Sequence, residues 1–334
     1  SGPSFGWINR EVIAEQKKQP HMTVFGGEDR FWLGPEGGQY ALYFPPGAAF
    51  DFEHWQVPEG IDWGPWPITS RSAREVRFKT ELQLVNYAGT RFRVTVDRIV
   101  RLLDQLAALP AVARSASAVA YESVNTITNS GTSAWTPDTG LVSIWILGMF
   151  QPTPETVIVI PFRPGPESEL GPIVNDAYFG KVPEARLRVT DRHLFFRGDG
   201  TERGKIGIPA RRALPVAGSY DSARSVLTLV EYTLPDSPAA ARYVNSMWEH
   251  QKEPYAGDVV NSYNDGPPAP GKKPLGPFYE IESSSPGAAL LPGQSLTHVH
   301  RTFHVQGSSA ELDAIAKAKL EVGLRAIETA FDSK

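Results

Sequence analysis

The chain has no cysteine among its 334 residues. That absence removes disulfides, thiolate metal sites and cysteine nucleophiles together. No run of 18 or more apolar residues occurs, so no segment reads as a membrane-spanning helix. A strong charge of one sign is missing too. The formal net charge is −4 with acids and bases interspersed, and no basic stripe offers itself to nucleic acid. The one Gly-x-Ser-x-Gly match, Gly2-Pro-Ser-Phe-Gly6, lies outside the predicted strands that a nucleophile elbow needs, and His-Glu-x-x-His is absent, so neither a serine-hydrolase elbow nor a zincin helix is read. The glycine-rich stretch Gly26–Gly38 has no Gly-x-Gly-x-x-Gly order and no following Gly-Lys-Ser/Thr. A dinucleotide fingerprint and a P-loop are therefore excluded, and no cofactor is expected.

What is present points to β-structure. Thirty glycines and 29 prolines make up about a sixth of the chain, above the usual level of roughly 12%. Period-two alternation over Glu75–Asn86, the turn Tyr87-Ala-Gly-Thr and its partner Arg91–Leu102 predict a hairpin with separated polar and apolar faces. Further strands are predicted at 117–129, 141–149, 156–162, 185–196, 225–234, 277–283 and 295–305. Strands this numerous without intervening helices mean stacked antiparallel sheets. Helical spacing is confined to 309–331, where Leu312, Ile315, Leu320, Leu324 and Ile327 follow a Ser308 or Ser309 cap, and to a shorter stretch at 238–249. With no repeat and no dividing linker, residues 1–334 are expected to form one all-β sandwich domain with a C-terminal helix.

The chemistry-bearing residues collect toward the C-terminus. Glu280 and Glu282 share one face of the strand Phe278-Tyr-Glu-Ile-Glu, because alternate side chains point the same way. His298, His300, Thr302 and His304 share a face of the next strand, with Val299, Phe303 and Val305 opposite. Three of the chain's seven histidines thus fall within seven residues. Acids beside imidazoles suit general acid–base catalysis. The same set could instead hold zinc or manganese through a His-x-His pair and a carboxylate, or could be an exposed polar face. Gly26–Gly38 adds Arg30, Trp32 and Glu36, able to hold a hydroxyl pair or carboxylate and to stack on a sugar ring, or to close a tight hairpin. Asn261, Tyr263 and Asp265 form a hydrogen-bonding set that could serve a pocket or only a turn. Trp55, Trp63 and Trp66 read as a sugar-stacking rim or a loop cover, and Trp135 and Trp145 as core. Arg197–Lys205 reads as a polar hairpin tip.

The order of a glutamate-bearing strand, then Leu290-Leu-Pro-Gly-Gln294, then a final strand resembles the galactose mutarotase-like superfamily, the aldose 1-epimerases and their relatives. The turns Leu84-Val-Asn-Tyr-Ala-Gly and Thr126-Ile-Thr-Asn-Ser-Gly and the segment Gly26–Glu36 resemble it as well. Gly26–Gly38, Asn261-Ser-Tyr-Asn-Asp-Gly-Pro and Phe278-Tyr-Glu-Ile-Glu together look like an uncharacterised family of exported bacterial proteins within it, over roughly 20–305. The resemblance implies a β-supersandwich, a saccharide ligand and aldose-1-epimerase-like chemistry. Glu282 would be the base on the anomeric hydroxyl, with Glu280 the alternative. Glu280 or His300 would be the acid at the ring oxygen, with Arg30 and Trp32 positioning the sugar and Glu36, Asn261, Tyr263, Asp265, His298 and His304 as further binding residues. The epimerases' mid-chain histidines are absent from Trp135–Phe150. A non-catalytic glycan-binding protein, or a lyase or glycoside hydrolase acting on a modified or acidic sugar with or without a metal, therefore stands beside the epimerase reading. Export and the Ser1-Gly-Pro-Ser start, which lacks a charged-then-apolar leader, imply a periplasmic or secreted mature form.

Overall fold

The computed structural model describes residues 4–104 and 116–332. Among them, fifteen strands run in chain order. The first eight are β1 (Arg30–Gly34), β2 (Ile68–Arg71), β3 (Glu75–Val85), β4 (Arg91–Leu102), β5 (Ser117–Asn129), β6 (Ser143–Phe150), β7 (Thr156–Pro161) and β8 (Leu187–Val189). They are followed by β9 (His193–Arg197), β10 (Gly204–Pro209), β11 (Val216–Asp221), β12 (Val226–Tyr232), β13 (Asp258–Asn264), β14 (Tyr279–Ser284) and β15 (Ser295–Gln306).

Two sheets result: a five-stranded sheet ordered β1-β6-β14-β13-β10 and a ten-stranded sheet ordered β2-β3-β4-β5-β15-β12-β11-β7-β9-β8. The predicted all-β, two-sheet sandwich is what forms. The β3–β4 hairpin shows why. Phe92, Val94 and Val96 are buried while Arg91 and Arg93 are exposed, so one face must find cover. The turn closes when Asn86 Oδ1 accepts from the Thr90 N–H at 2.9 Å.

The ten-stranded sheet turns one face to the smaller sheet. Its other face, with Val157, Val159, Phe195, Leu227, Leu229, Phe303 and Val305, packs under the C-terminal helices. The expected helix over 309–331 is two helices, Ser309–Leu320 and Leu324–Glu328. Glu321 adopts a left-handed conformation between them, and Asp313 Oδ1 holds the second helix's first N–H, that of Leu324, at 2.9 Å. All five apolar residues predicted to face the core are buried.

The helix expected at 238–249 is only a single 3₁₀ turn, Pro238–Ala240. Its backbone bonds run across the fold instead, from Asn245 N–H to Pro254 O and from Gly257 N–H to Tyr243 O. Gly26–Gly38 and Asp258–Gly266, for which no strand is predicted, contain β1 and β13, and Arg197–Lys205 ends in the first residues of β10. Every residue of β13 is buried, so its polar side chains carry no signature of an exposed face.

Candidate functional site

Register fixes which side chains share the outer face of the small sheet. Arg30 lies opposite Leu147, Leu147 opposite Glu282, and Glu282 opposite Asn261. Trp32 faces Trp145 across β1 and β6, and Glu280 faces Met149 and Tyr263, with Lys205 next to Tyr263. Directly opposed residues point the same way. Arg30, Trp32, Trp145, Lys205, Glu280 and Glu282 therefore all project away from the inter-sheet core.

All of these but Glu282 bound a cavity of about 140 Å³, walled by Trp32, Trp55, Trp145 and Trp248, with Arg30, Glu36, Arg203, Lys205 and Glu280 as its charged lining. The Trp32 and Trp145 rings meet edge to face at 5.4 Å, and the Arg30 guanidinium lies 5.2 Å from the Trp32 ring. Arg30 donates to Glu280 Oε1. Behind Glu280, Glu282 is fully buried. Its Oε2 accepts from Trp145 Nε1 at 2.8 Å and from Lys205 Nζ at 3.0 Å, while its Oε1 has no hydrogen-bond partner among the described residues.

Two carboxyls this close and this dry cannot both ionise freely. Burial raises the pKa of Glu280 well above the ordinary carboxylate range. Arg30 opposes that shift and the Glu282 charge adds to it. Burial works to lower Lys205, but Glu282, Glu36 and Glu280 more than offset it and hold the ammonium charged. Burial also raises Glu36, against the pull of Lys205. Beside Lys205, the Tyr178 hydroxyl donates to Asp258 Oδ2 at 2.6 Å, and Asn261 Nδ2 donates to Tyr178 at 3.2 Å. Burial lifts Asp258 to about 6. Gly207 permits this approach: a Cβ there would stand 2.0 Å from Asp258 Oδ2.

The histidines do not join this site. Ser283, on the other face of β14, takes His298 Nε2 and His300 Nδ1 at 2.8 Å each. Both rings lie buried between the sheets, so the expected shared face of glutamates and imidazoles does not form, and His300 has no path to a ring oxygen in the pocket. The cause is topological: β14 and β15 are consecutive in sequence but belong to different sheets. One serine hydroxyl can donate only once, so at least one of the two imidazoles donates to it. Burial lowers both histidines, His298 to about 3. His304 lies farther along, bonded to Thr228 at 2.9 Å and Glu28 at 2.8 Å, at a separate cleft of about 850 Å³. Among the described residues no group of three or more His, Asp or Glu side chains is arranged to hold a metal ion.

Of the other expected binding residues, Tyr263 lines the cavity and donates to Asp265 Oδ1 at 2.7 Å. Asp265 is buried behind it, also accepting from the Gly276 N–H. Asn261 is committed to Tyr178 and the Ile206 carbonyl. Trp63 and Trp66 line an adjoining cleft of about 630 Å³ that shares Met22, Arg30 and Trp32 with the pocket.

A family model matches residues 1–331. The chain belongs to that family, described as a family of unknown function (DUF6786). No curated protein matches it. Solved structures similar to it include the Slr1438 protein from Synechocystis sp. PCC 6803, at 12% identity and TM-score 0.48, covering 91% of this chain and 85% of that chain. A putative aldose 1-epimerase from Escherichia coli K12 is similar at 13% identity and TM-score 0.42, over 84% of each chain. A galactose mutarotase-like protein from Lactobacillus casei ATCC 334 is similar at 10% identity and TM-score 0.45, over 90% and 89%.

For this DUF6786 member, sequence reasoning missed Lys205, Trp145, Tyr178 and Asp258. Lys205 carried one legible signal, a lone cation in the otherwise uncharged strand Gly204–Pro209. Trp145 carried none, because β6 is buried on both faces and a site tryptophan there reads as core.

Proposed function

We propose that the indole-walled pocket binds a saccharide and that Glu280 and Glu282 carry out aldose-1-epimerase-like acid–base chemistry on it. The observation that carries this reading is the coupled glutamate pair, clamped by Arg30 and Lys205, at the wall of an aromatic cavity. Indole faces match the C–H faces of a sugar ring. A carboxyl whose proton affinity burial has raised, Glu280, beside a second carboxyl can supply acid and base in one place. Glu280 borders the cavity and Glu282 lies behind it, so Glu280 makes the contact and Glu282 is its proton-sharing partner. Sharing one proton, the pair takes the proton of the anomeric hydroxyl and returns one to the ring oxygen. The C1–O5 bond opens to the free aldehyde, and the reverse steps reclose it on the other face.

Anomer exchange measured by NMR on a panel of aldoses tests this. Glu280→Gln and Glu282→Gln are expected to slow exchange by about 10²- to 10⁴-fold while sugar still binds. The ion pairing of both glutamates also favours a second reading, a glycan-binding site with no chemistry. Tight sugar binding with anomers exchanging only at the uncatalysed rate would establish that reading instead. A pocket that binds no sugar of the panel would remove both.

A further inference from the structure

The pocket holds one cation more than its own acids neutralise by contact. Arg30 is met by Glu280 and Lys205 by Glu282. Arg203 also lines the cavity, and among the described residues its guanidinium makes no ion pair or side-chain hydrogen bond. It stands two residues before Lys205, so the two side chains share a face where the chain enters β10. Its guanidinium carbon lies over the Phe179 ring, 3.8 Å from the centroid, and Phe179 in turn meets Tyr263 edge to face at 5.9 Å. Stacking holds the guanidinium plane while leaving its in-plane N–H donors unspent. Its charge acts on Asp265, whose own oxygens are already engaged by Tyr263 and Gly276.

A pre-oriented guanidinium with free donors at an aromatic mouth matches one partner chemistry best. A planar carboxylate accepts two parallel N–H bonds, which a neutral hydroxymethyl group cannot do. Building on the saccharide reading above, we infer that the ligand is an acidic sugar, a uronate, whose ring lies against the tryptophans while its carboxylate is bound by Arg203.

Binding of D-galacturonate and D-glucuronate, their methyl esters, and galactose and glucose by titration calorimetry tests this on the unaltered protein. At least one free acid is expected to bind 10- to 100-fold more tightly than both its ester and its parent hexose. In Arg203→Gln that preference is expected to collapse, and in Arg203→Lys to return in part. Circular dichroism confirms that each variant is folded, and the ester comparison needs no variant at all. Hexoses binding as tightly as the acids would overturn the inference and leave the saccharide reading standing. A preference for acid that survives Arg203→Gln would overturn the role of Arg203. Failure of all six sugars to bind would overturn the saccharide reading with it.

Discussion

The two faces of β14 carry two buried polar clusters built from neighbouring residues, and they differ in kind. On the outer face, Glu280 and Glu282 meet Arg30, Lys205 and Trp145 at the wall of a cavity. On the inner face, Ser283 meets His298 and His300 in the closed space between the sheets. Close by, Arg98, Asp29, Ser123 and Asn125 satisfy one another at 2.8–3.1 Å. Both clusters are nearly dry, and both shift their titratable groups strongly. The outer one sets two carboxyls against two cations at the wall of the tryptophan-lined cavity, whereas Ser283, His298 and His300 do not line that cavity. Burial and perturbed acidity alone therefore do not mark a site; access from a cavity does.

The largest effect that would sharpen this contrast is expected at Lys205. Lys205→Met leaves Glu282 buried and uncompensated and is expected to cost about 3–5 kcal/mol in urea unfolding. Adding Glu282→Leu to that variant is expected to restore most of the loss. A double variant as unstable as the single one would show that the pair is not what the lysine supports. Trp145→Phe removes one hydrogen bond to the Glu282 carboxylate and is expected to cost about 1.5–3 kcal/mol. It should weaken sugar binding as well, and calorimetry reads both effects.

Ser283→Ala is the counterpart on the inner face. It strips a partner from each imidazole at a cost of about 1–3 kcal/mol and should leave sugar affinity unchanged. A loss of binding in that variant would break the separation between the two clusters. Per pH unit, the smallest effect is a stability slope. His298 and His300 are held below their ordinary pKa by burial, so the unfolded chain binds protons that the folded one refuses. Their contribution to stability is complete above about pH 6.5 and is lost as pH falls toward the folded-state value of about 3 for His298. The slope is at most about 1.4 kcal/mol per pH unit for each histidine. Unfolding midpoints across that range, compared with His298→Phe, check it.

Local pattern was legible wherever one face of an element meets water. The β3–β4 hairpin, strand β5 and the apolar stripe of the C-terminal helices were all readable from spacing. So was the facing of His298, His300 and His304 on β15, opposite Val299, Phe303 and Val305. Strands β1, β10 and β13 were not: both their faces are covered, as are those of β6 and β7, but where β6 and β7 are near-continuous apolar runs, these three break theirs with charged, polar or glycine residues. The glutamates' shared face was equally readable, since a period of two is a local property of any strand.

Which face meets which is another matter. Sequence by itself determined an all-β chain, its turn-rich character, the positions of most strands and the alternation that pairs Glu280 with Glu282. Only the tertiary structure decided that β14 and β15 part into different sheets. That parting turns the glutamates toward tryptophans and Lys205 from distant segments and the histidines toward a serine. Sheet assignment depends on contacts between residues more than a hundred positions apart, such as Trp145 with Glu282 and Arg30 with Glu280. No local period encodes those contacts.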